Sequence, residues 1–424
     1  MLALLLFAGI LVAVLLGYPV ALVLGGVSLL WGYVALGPAF MQFLPGRLLG
    51  VLSNYVLLAV PMFVLMGLAL QRSGLAEVLL RRLAGLAGGR PGGLALAVLV
   101  VGALLAASTG IVGASVVTLT LIAVPVMRRA GYPDGVSAGV VAAAGSLGQI
   151  VPPSIVLILL ASVMRVSVGD LFAAAVLPSV LIVGGYLAYV VALALGAGGR
   201  RLPALAPAEP TASVDATSPP VWLAIAGPVG LIVGVLGTIL AGLASPTEAS
   251  GVGAIAALGL WAASGRGSRA GLLDLGREAL RLSAMIYLIL LGATTFALVF
   301  RGLEGDSLLV EAVTGSGLSA GGFVAVLLAV VFVAGFFIDF IEIIFIVVPV
   351  VLPLVGAYGI DPLWLAVLLG VNLQTSFLTP PFGFSLFYLR GAAPADLATA
   401  DVYRGVAPFV LIQLVVLGIL FIVG

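Results

Sequence analysis

Gly148-Gln149-Ile150-Val151-Pro152-Pro153-Ser154 returns in altered form as Ser376-Phe377-Leu378-Thr379-Pro380-Pro381-Phe382, the two double prolines offset by 228 residues. Both runs lie inside long apolar stretches. Pro125 and Pro353, Gly131 and Gly359, and Ala138 and Ala366 keep the same offset. A double proline removes two backbone donors and clashes with the preceding helical turn, so each run is predicted to break a helix. Broken apolar helices at corresponding positions in two halves point to the binding site of a secondary transporter.

Of the 424 residues, 63% are hydrophobic and 8% charged, with a mean hydropathy of +1.36. A soluble chain of this length needs a far larger charged surface, so the bilayer is the expected solvent. The apolar N-terminus has no basic n-region and no small-residue cleavage site, and reads as a retained span. Cysteine and histidine are absent. That excludes thiol chemistry, disulfides, the usual zinc sites and histidine proton relays. All 17 basic residues are arginine, which reads as genomic composition.

The expected fold class is an all-α polytopic membrane protein with about 11 transmembrane helices and two re-entrant helical hairpins. Residues 1–53 supply N-terminal scaffold helices at 1–16 and 18–36. Residues 54–195 form a first repeat: a span at 54–71, an interfacial amphipathic stretch at 75–87, a hairpin at 94–129, a broken helix at 134–165 and a span at 170–195. The Pro-rich stretch 196–220 reads as a cytoplasmic linker. Residues 221–280 add scaffold spans at 221–243 and 247–263 and an amphipathic connector at 268–280. Residues 281–424 form the second repeat: a span at 281–300, a Gly-rich loop at 302–322, a hairpin at 323–355, a broken helix at 361–389 and a last span at 403–423.

Arginine sets the orientation. With both hairpins returning to their own side, fourteen arginines face the cytoplasm and only Arg47, Arg165 and Arg301 face outward. Treating either hairpin as a crossing spoils this bias. Both termini then lie outside, and the two repeats have inverted topology, which suits alternating access.

The unwound stretches expose oxygens near the bilayer midplane: Ser146, Gly148, Gln149 and Ser154 at the first break, and Asn372, Gln374, Thr375, Ser376 and Thr379 at the second. Freed carbonyls and hydroxyls suit sodium, so Ser108, Ser146, Gly148, Asp339, Ser376 and Thr379 are candidate sodium ligands. The competing reading makes the double prolines structural kinks with back-bonded hydroxyls. Candidate substrate contacts are Ser108, Thr109, Gly110, Gly113 and Ser115 at the first hairpin tip, Gln149, Pro152, Pro153 and Ser154 at one break, and Gln374, Thr375, Pro380 and Pro381 at the other. Asp339 and Glu342 in the second tip share a helix face and have two open roles: charge for a cation site, or a helix cap. Ser245-Pro246-Thr247-Glu248 reads as a capping box.

Four ordered motifs carry a family resemblance: ASTGIVGAS at 107–115, RRAGYPDGVSAGVVAAAGSLGQIVPPSIVLI at 128–158, SPTEASGVGA at 245–254 and NLQTSFLTPPFGFSLFYLRGAAP at 372–394. They resemble the large membrane subunit of TRAP (tripartite ATP-independent periplasmic) transporters, from about residue 17 to the C-terminus. The resemblance implies an elevator-type, sodium-coupled importer of organic acids in a bacterial or archaeal inner (cytoplasmic) membrane. It also implies two partners, a separate small four-helix membrane subunit and a periplasmic substrate-binding protein. It places ion and substrate sites at Ser108 to Ser115, Gly145 to Ser154, near Asp339, and at Gln374 to Pro381. The tip Ile338-Asp339-Phe340-Ile341-Glu342 departs from the family pattern of an acidic residue followed by proline or small residues.

The leading expectation is sodium-driven uptake of a small carboxylate. A stand-alone ion-coupled carboxylate transporter or antiporter is the alternative. A channel lacks a repeated selectivity ring, and a membrane enzyme lacks catalytic groups. Neither an enzymatic role nor a nucleic-acid partner is expected.

Overall fold

The computed structural model describes residues 1–86, 89–196, 202–204 and 221–423, so most of the expected linker lies outside the described residues. The first part comprises α1 (Leu2–Leu15), α2 (Val20–Leu36), α3 (Leu44–Leu52), α4 (Ala59–Arg72) and α5 (Leu75–Leu86). Then come α6 (Gly93–Thr109), α7 (Val112–Arg129), α8 (Asp134–Ser146), α9 (Ile155–Met164) and α10 (Val168–Ala194). After the linker follow α11 (Val221–Leu240), α12 (Pro246–Trp261), α13 (Arg269–Gly302) and α14 (Gly305–Gly315). The chain closes with α15 (Ala320–Ala334), α16 (Phe340–Ala357), α17 (Pro362–Leu378), α18 (Phe384–Ala392) and α19 (Thr399–Val423). The protein is an all-helical, multi-pass membrane protein.

Elements α6 to α10 are repeated by α15 to α19 in the same order. Gly131 and Gly359 close the second arms of the two hairpins with positive φ, +81° and +64°. In each, the next residue donates back five positions, Tyr132 N to Met127 O and Ile360 N to Val355 O, both at 3.0 Å. This is the bond pattern that lets glycine end a helix and satisfy its last carbonyls. The 228-residue offset is therefore an offset of backbone structure as well as of letters.

Both hairpins fold back on themselves. A Cβ built on Gly102 would lie 3.1 Å from Leu119 Cδ1, and the two positions stand on either side of the Gly110 turn at nearly the same distance along the chain, so α6 and α7 run antiparallel. In the second hairpin, Phe323 near the start of α15 stacks on Tyr358 just beyond α16, centroids 5.3 Å apart. Among the described residues seven helices are long and apolar enough to cross a membrane alone, and two of them, α7 and α16, are hairpin arms. Length alone thus does not count crossings. With both hairpins returning, the expected spans supply ten crossings, not eleven; an odd number would put the termini on opposite faces.

Two further expectations are corrected. The connector 268–280 and the span 281–300 form one helix, α13, of 34 residues. At 1.5 Å per residue it reaches about 50 Å, enough to cross the roughly 30 Å hydrocarbon and project beyond it. Residues 302–322 are not a loop throughout, because α14 occupies 305–315. Its Gly305 and Gly315 stand at the helix ends, where glycine is tolerated, and Leu309, Val310 and Val313 pack on the core at helical spacing. Helix α14 follows α13 as amphipathic α5 follows α4. The expected capping box is present: Glu248 Oε2 accepts from Ser245 N at 2.8 Å, and Ser245 Oγ accepts from Glu248 N at 3.3 Å.

Candidate functional site

Helix α8 tightens into a 3₁₀ turn at Leu147–Gln149, and the chain then passes through a cis Pro152–Pro153 bond before α9 begins at Ile155. Helix α17 stops at Leu378, and an extended Thr379 leads into a cis Pro380–Pro381 bond before α18. Each break lies against a hairpin tip. Gly110, at φ +59°, turns α6 into α7, and a Cβ there would sit 3.3 Å from the backbone nitrogen of Ile155. A Cβ on Gly335, at the second tip, would overlap Ser376 Oγ, which itself donates to Phe332 O at 2.7 Å. The repeats also meet each other. A Cβ on Gly113 would lie 2.8 Å from the Tyr388 ring, and one on Gly370 3.1 Å from Ile150 Cδ1.

Most candidate hydroxyls spend their proton on local carbonyls. Ser108 donates to Leu105 O (2.8 Å), Ser146 to Ala143 O (2.9 Å), Ser154 to Gln149 O (2.7 Å), Thr375 to Val371 O (2.7 Å) and Thr379 to Thr375 O (2.7 Å). Back-bonding of this kind is what the kink reading expects. It leaves each hydroxyl's lone pairs able to accept or to ligate. Ser115 is buried, and the Thr109 side chain lies outside the described ones.

Gln149 and Gln374 are wholly buried, and neither amide makes a hydrogen bond among the described residues. Leaving such a group unpaired costs about 1–3 kcal/mol. Gln374 does not face the second tip. Asn372 and Ser376 face α15, donating to Leu328 O (2.9 Å) and Phe332 O (2.7 Å), and Gln374 sits between them in sequence on the opposite side of α17. There it lies towards the Tyr186 hydroxyl of α10, which accepts from Gln413 Nε2 of α19, without closing a hydrogen bond to it.

The half-helices that start at the breaks and tips differ in their caps. Helices α7, α9 and α18 begin at Ile111, Ser154 and Gly383 with no side-chain cap. Their first N–H groups and positive dipole ends are those that hold anions elsewhere. Helix α16 is the opposite. Asp339 Oδ1 accepts from Ile341 N at 2.9 Å, and Glu342 Oε2 accepts from Asp339 N at 3.3 Å. The two carboxylates therefore form a capping box, and no arginine pairs with either among the described residues.

A cluster unmarked in the sequence ties the repeats together at the expected cytoplasmic face. Arg128, at the end of α7, donates to both oxygens of Asp134 (2.8 and 3.1 Å) and of Asp396 (3.0 and 2.7 Å). The Arg128 hydrogen bond holds the Asp396 carboxyl below the usual carboxylate range. Tyr403 reinforces the second break by donating to Pro381 O at 2.8 Å.

Residues 7–423 match the family described as "Tripartite ATP-independent periplasmic transporter, DctM component". The chain belongs to the DctM family. It is 33% identical to the C4-dicarboxylate TRAP transporter large permease protein DctM of Pseudomonas aeruginosa, over 90% of this chain and 87% of that one. It is 28% identical to the ectoine TRAP transporter large permease protein TeaC of Halomonas elongata, over 93% and 91% of the two chains. The fold is also similar to that of the Alcanivorax borkumensis YdaH transporter, with a TM-score of 0.66 at 19% identity over 92% of this chain and 89% of that one.

In this DctM component the tips and breaks flagged in the sequence do come together. Reasoning from the sequence missed Tyr186, Gln413, Tyr388 and the Arg128 cluster. The signal available was polar side chains in apolar helices, since Gln413 stands mid-way along α19 and Tyr186 within α10.

Proposed function

We propose that this chain is the large permease of a sodium-coupled importer of a small organic carboxylate in the cytoplasmic membrane. It works by an elevator movement, with a small four-helix membrane subunit and a periplasmic binding protein that delivers the substrate. The observation that carries this reading is the pairing of each helix break with a hairpin tip. That pairing gathers three uncapped helix N-termini, which suit a carboxylate, around one acidic tip, which suits a cation. Among the described residues no cluster of three or more acidic, histidine or cysteine side chains could hold a metal. Sodium would therefore rest on neutral oxygens of Ser108, Ser146, Gly148, Ser376 and Thr379, with charge from Asp339. Such hard oxygen donors fit a monovalent alkali cation. The relatives named for C4-dicarboxylates and for ectoine support a small, polar, acid-bearing substrate.

The test is uptake into proteoliposomes containing this chain and its small subunit, with loaded binding protein outside. Uptake should follow an imposed inward sodium gradient and stop when the binding protein is omitted. Equal uptake in potassium would remove the coupling. Equal uptake without binding protein would favour the stand-alone reading.

A further inference from the structure

The three arginines that the charge distribution places outside, Arg47, Arg165 and Arg301, line one cleft of about 410 Å³. They come from α3, the end of α9 and α13, elements far apart in sequence. A neighbouring cavity of about 560 Å³ shares Arg47 and Arg301, so the basic lining continues outward. Three guanidiniums face a single paired carboxylate: Arg301 Nε lies 3.3 Å from Asp306 Oδ2, while Arg47 and Arg165 form no ion pair among the described residues. Asp170 and Glu304, the acidic groups nearest in sequence, do not line the cleft. Arg165 also holds a left-handed backbone, φ +58°, a conformation that favours glycine and that a bulky residue adopts only at a cost.

The cleft leads inward. Its wall includes Ser162 and Arg165 of α9 and Phe345 and Pro349 of α16, the helices that begin at the first break and at the acidic tip. At 1.5 Å per residue, Ser162 stands about 10 Å from the start of α9, and Phe345 about 8 Å from the start of α16. The facing wall is α13, where Ala293, Thr294 and Ala297 alternate with Leu290 and Leu298. Asn54 Nδ2, in the segment between α3 and α4, donates to Ser162 Oγ at 3.4 Å within the lining.

We propose that this cleft is an anion-binding vestibule in which Arg47, Arg165 and Arg301 hold an organic carboxylate on its way to the helix breaks. A cleft lined by one sign of charge between low-dielectric walls concentrates counter-ions at its mouth. Guanidinium matches a carboxylate in shape and charge. The direction of travel rests on the importer reading; the binding itself does not.

The test separates the two. The full-length chain in phosphatidylcholine nanodiscs, without sodium or partners, is treated with phenylglyoxal, and modified arginines are mapped by mass spectrometry. Succinate, but not succinamide at matched ionic strength, should slow modification of Arg47 and Arg165 at least about three-fold. Arg81 and Arg82 on the opposite face should be unaffected, and Arg301→Gln should reduce the protection. Equal modification with and without succinate overturns the proposal. So does protection that arises in phosphatidylglycerol nanodiscs without succinate, which would assign the cleft to a lipid headgroup. In proteoliposomes Arg47→Gln should raise KM for the carboxylate several-fold with Vmax within about two-fold, because attraction acts on encounter. A fall in Vmax at unchanged KM overturns the vestibule. Sodium-independent uptake with protection intact would instead refute only the coupling.

Discussion

Asp339 caps α16 and, in the proposed mechanism, supplies charge to a sodium site, and one substitution can separate the two. Its Oδ1 caps α16 through Ile341 N at 2.9 Å, while its charge has no arginine partner among the described residues. Asparagine caps a helix about as well as aspartate, so Asp339→Asn should leave the tip folded. Alanine caps poorly, and Asp339→Ala should cost about 1 kcal/mol of stability. The charge has a different magnitude. A unit charge about 5 Å from a sodium ion, at an effective dielectric near 20, contributes about 3 kcal/mol. The asparagine carbonyl keeps part of the coordination, so the expected loss is at least about 1.4 kcal/mol, a ten-fold rise in the sodium concentration for half-activation. The assay is sodium-activated uptake in proteoliposomes, beside thermal unfolding of the same preparations. Asp339→Asn should shift sodium activation with an unchanged Tm, and Asp339→Ala should shift both. Unaltered sodium activation in Asp339→Asn would refute the reasoning and leave Asp339 as a cap alone.

Other substitutions probe the remaining geometry. Gly110→Ala places a side chain at φ +59° and 3.3 Å from Ile155 N, and should lower stability by about 1–2 kcal/mol in thermal unfolding. Ser108→Ala and Thr379→Ala should weaken sodium activation in the uptake assay more than they reduce expression, since each removes a candidate ligand oxygen and only one back-bond to a helix carbonyl. Tyr186→Phe strands the buried Gln413 amide and should cost about 1–3 kcal/mol, much of it recovered in Tyr186→Phe/Gln413→Leu, read by Tm in a double-mutant cycle. Asp396 has its carboxyl held below the ordinary carboxylate range by the hydrogen bond from Arg128, so its contribution is present above that range and is lost as pH falls through the depressed value. Asp396→Asn should therefore be less stable than wild type at pH 7, with the gap in Tm closing in strongly acidic buffer.

The legible parts of this fold are those whose physics is local. A double proline ends a helix whatever surrounds it, and both breaks stand where Pro152–Pro153 and Pro380–Pro381 predict. Ser245 and Glu248 cap α12 because a capping box needs only four residues. Gly-rich composition misled at 302–322: glycines at helix ends and glycines in a loop look alike in a string, and the apolar face of α14 is only three residues wide. Nothing local ends the helix between the connector and the span in α13: no proline falls within it, and its internal glycines, Gly271, Gly276 and Gly292, are tolerated in a long helix. The Arg128–Asp396 pairing joins residues 268 positions apart and has no signature in either neighbourhood. Gln374 was legible as a polar group but not in direction, since the side of α17 it takes depends on where α10 and α19 pack.

The repeat preserves backbone and changes chemistry, and that difference is what the proposed site for a carboxylate and a sodium ion would use. Counting back 228 residues from Asp339 and Glu342 gives Ile111 and Ala114, so the position that is doubly acidic at one tip is apolar at the other. Two identical tips would repel or ignore the same ligand equally. Here the bare start of α7 offers N–H groups beside the equally bare start of α9, while α16 offers carboxylate oxygens. An anion favours the first environment and a cation the second, and each lowers the cost of placing the other nearby in a low-dielectric setting. Coupling between carboxylate and sodium then needs no signal carried across the protein. It follows from placing opposite charges at two ends of one pseudo-symmetric site, and it predicts that neutralising Asp339 weakens carboxylate affinity only when sodium is present.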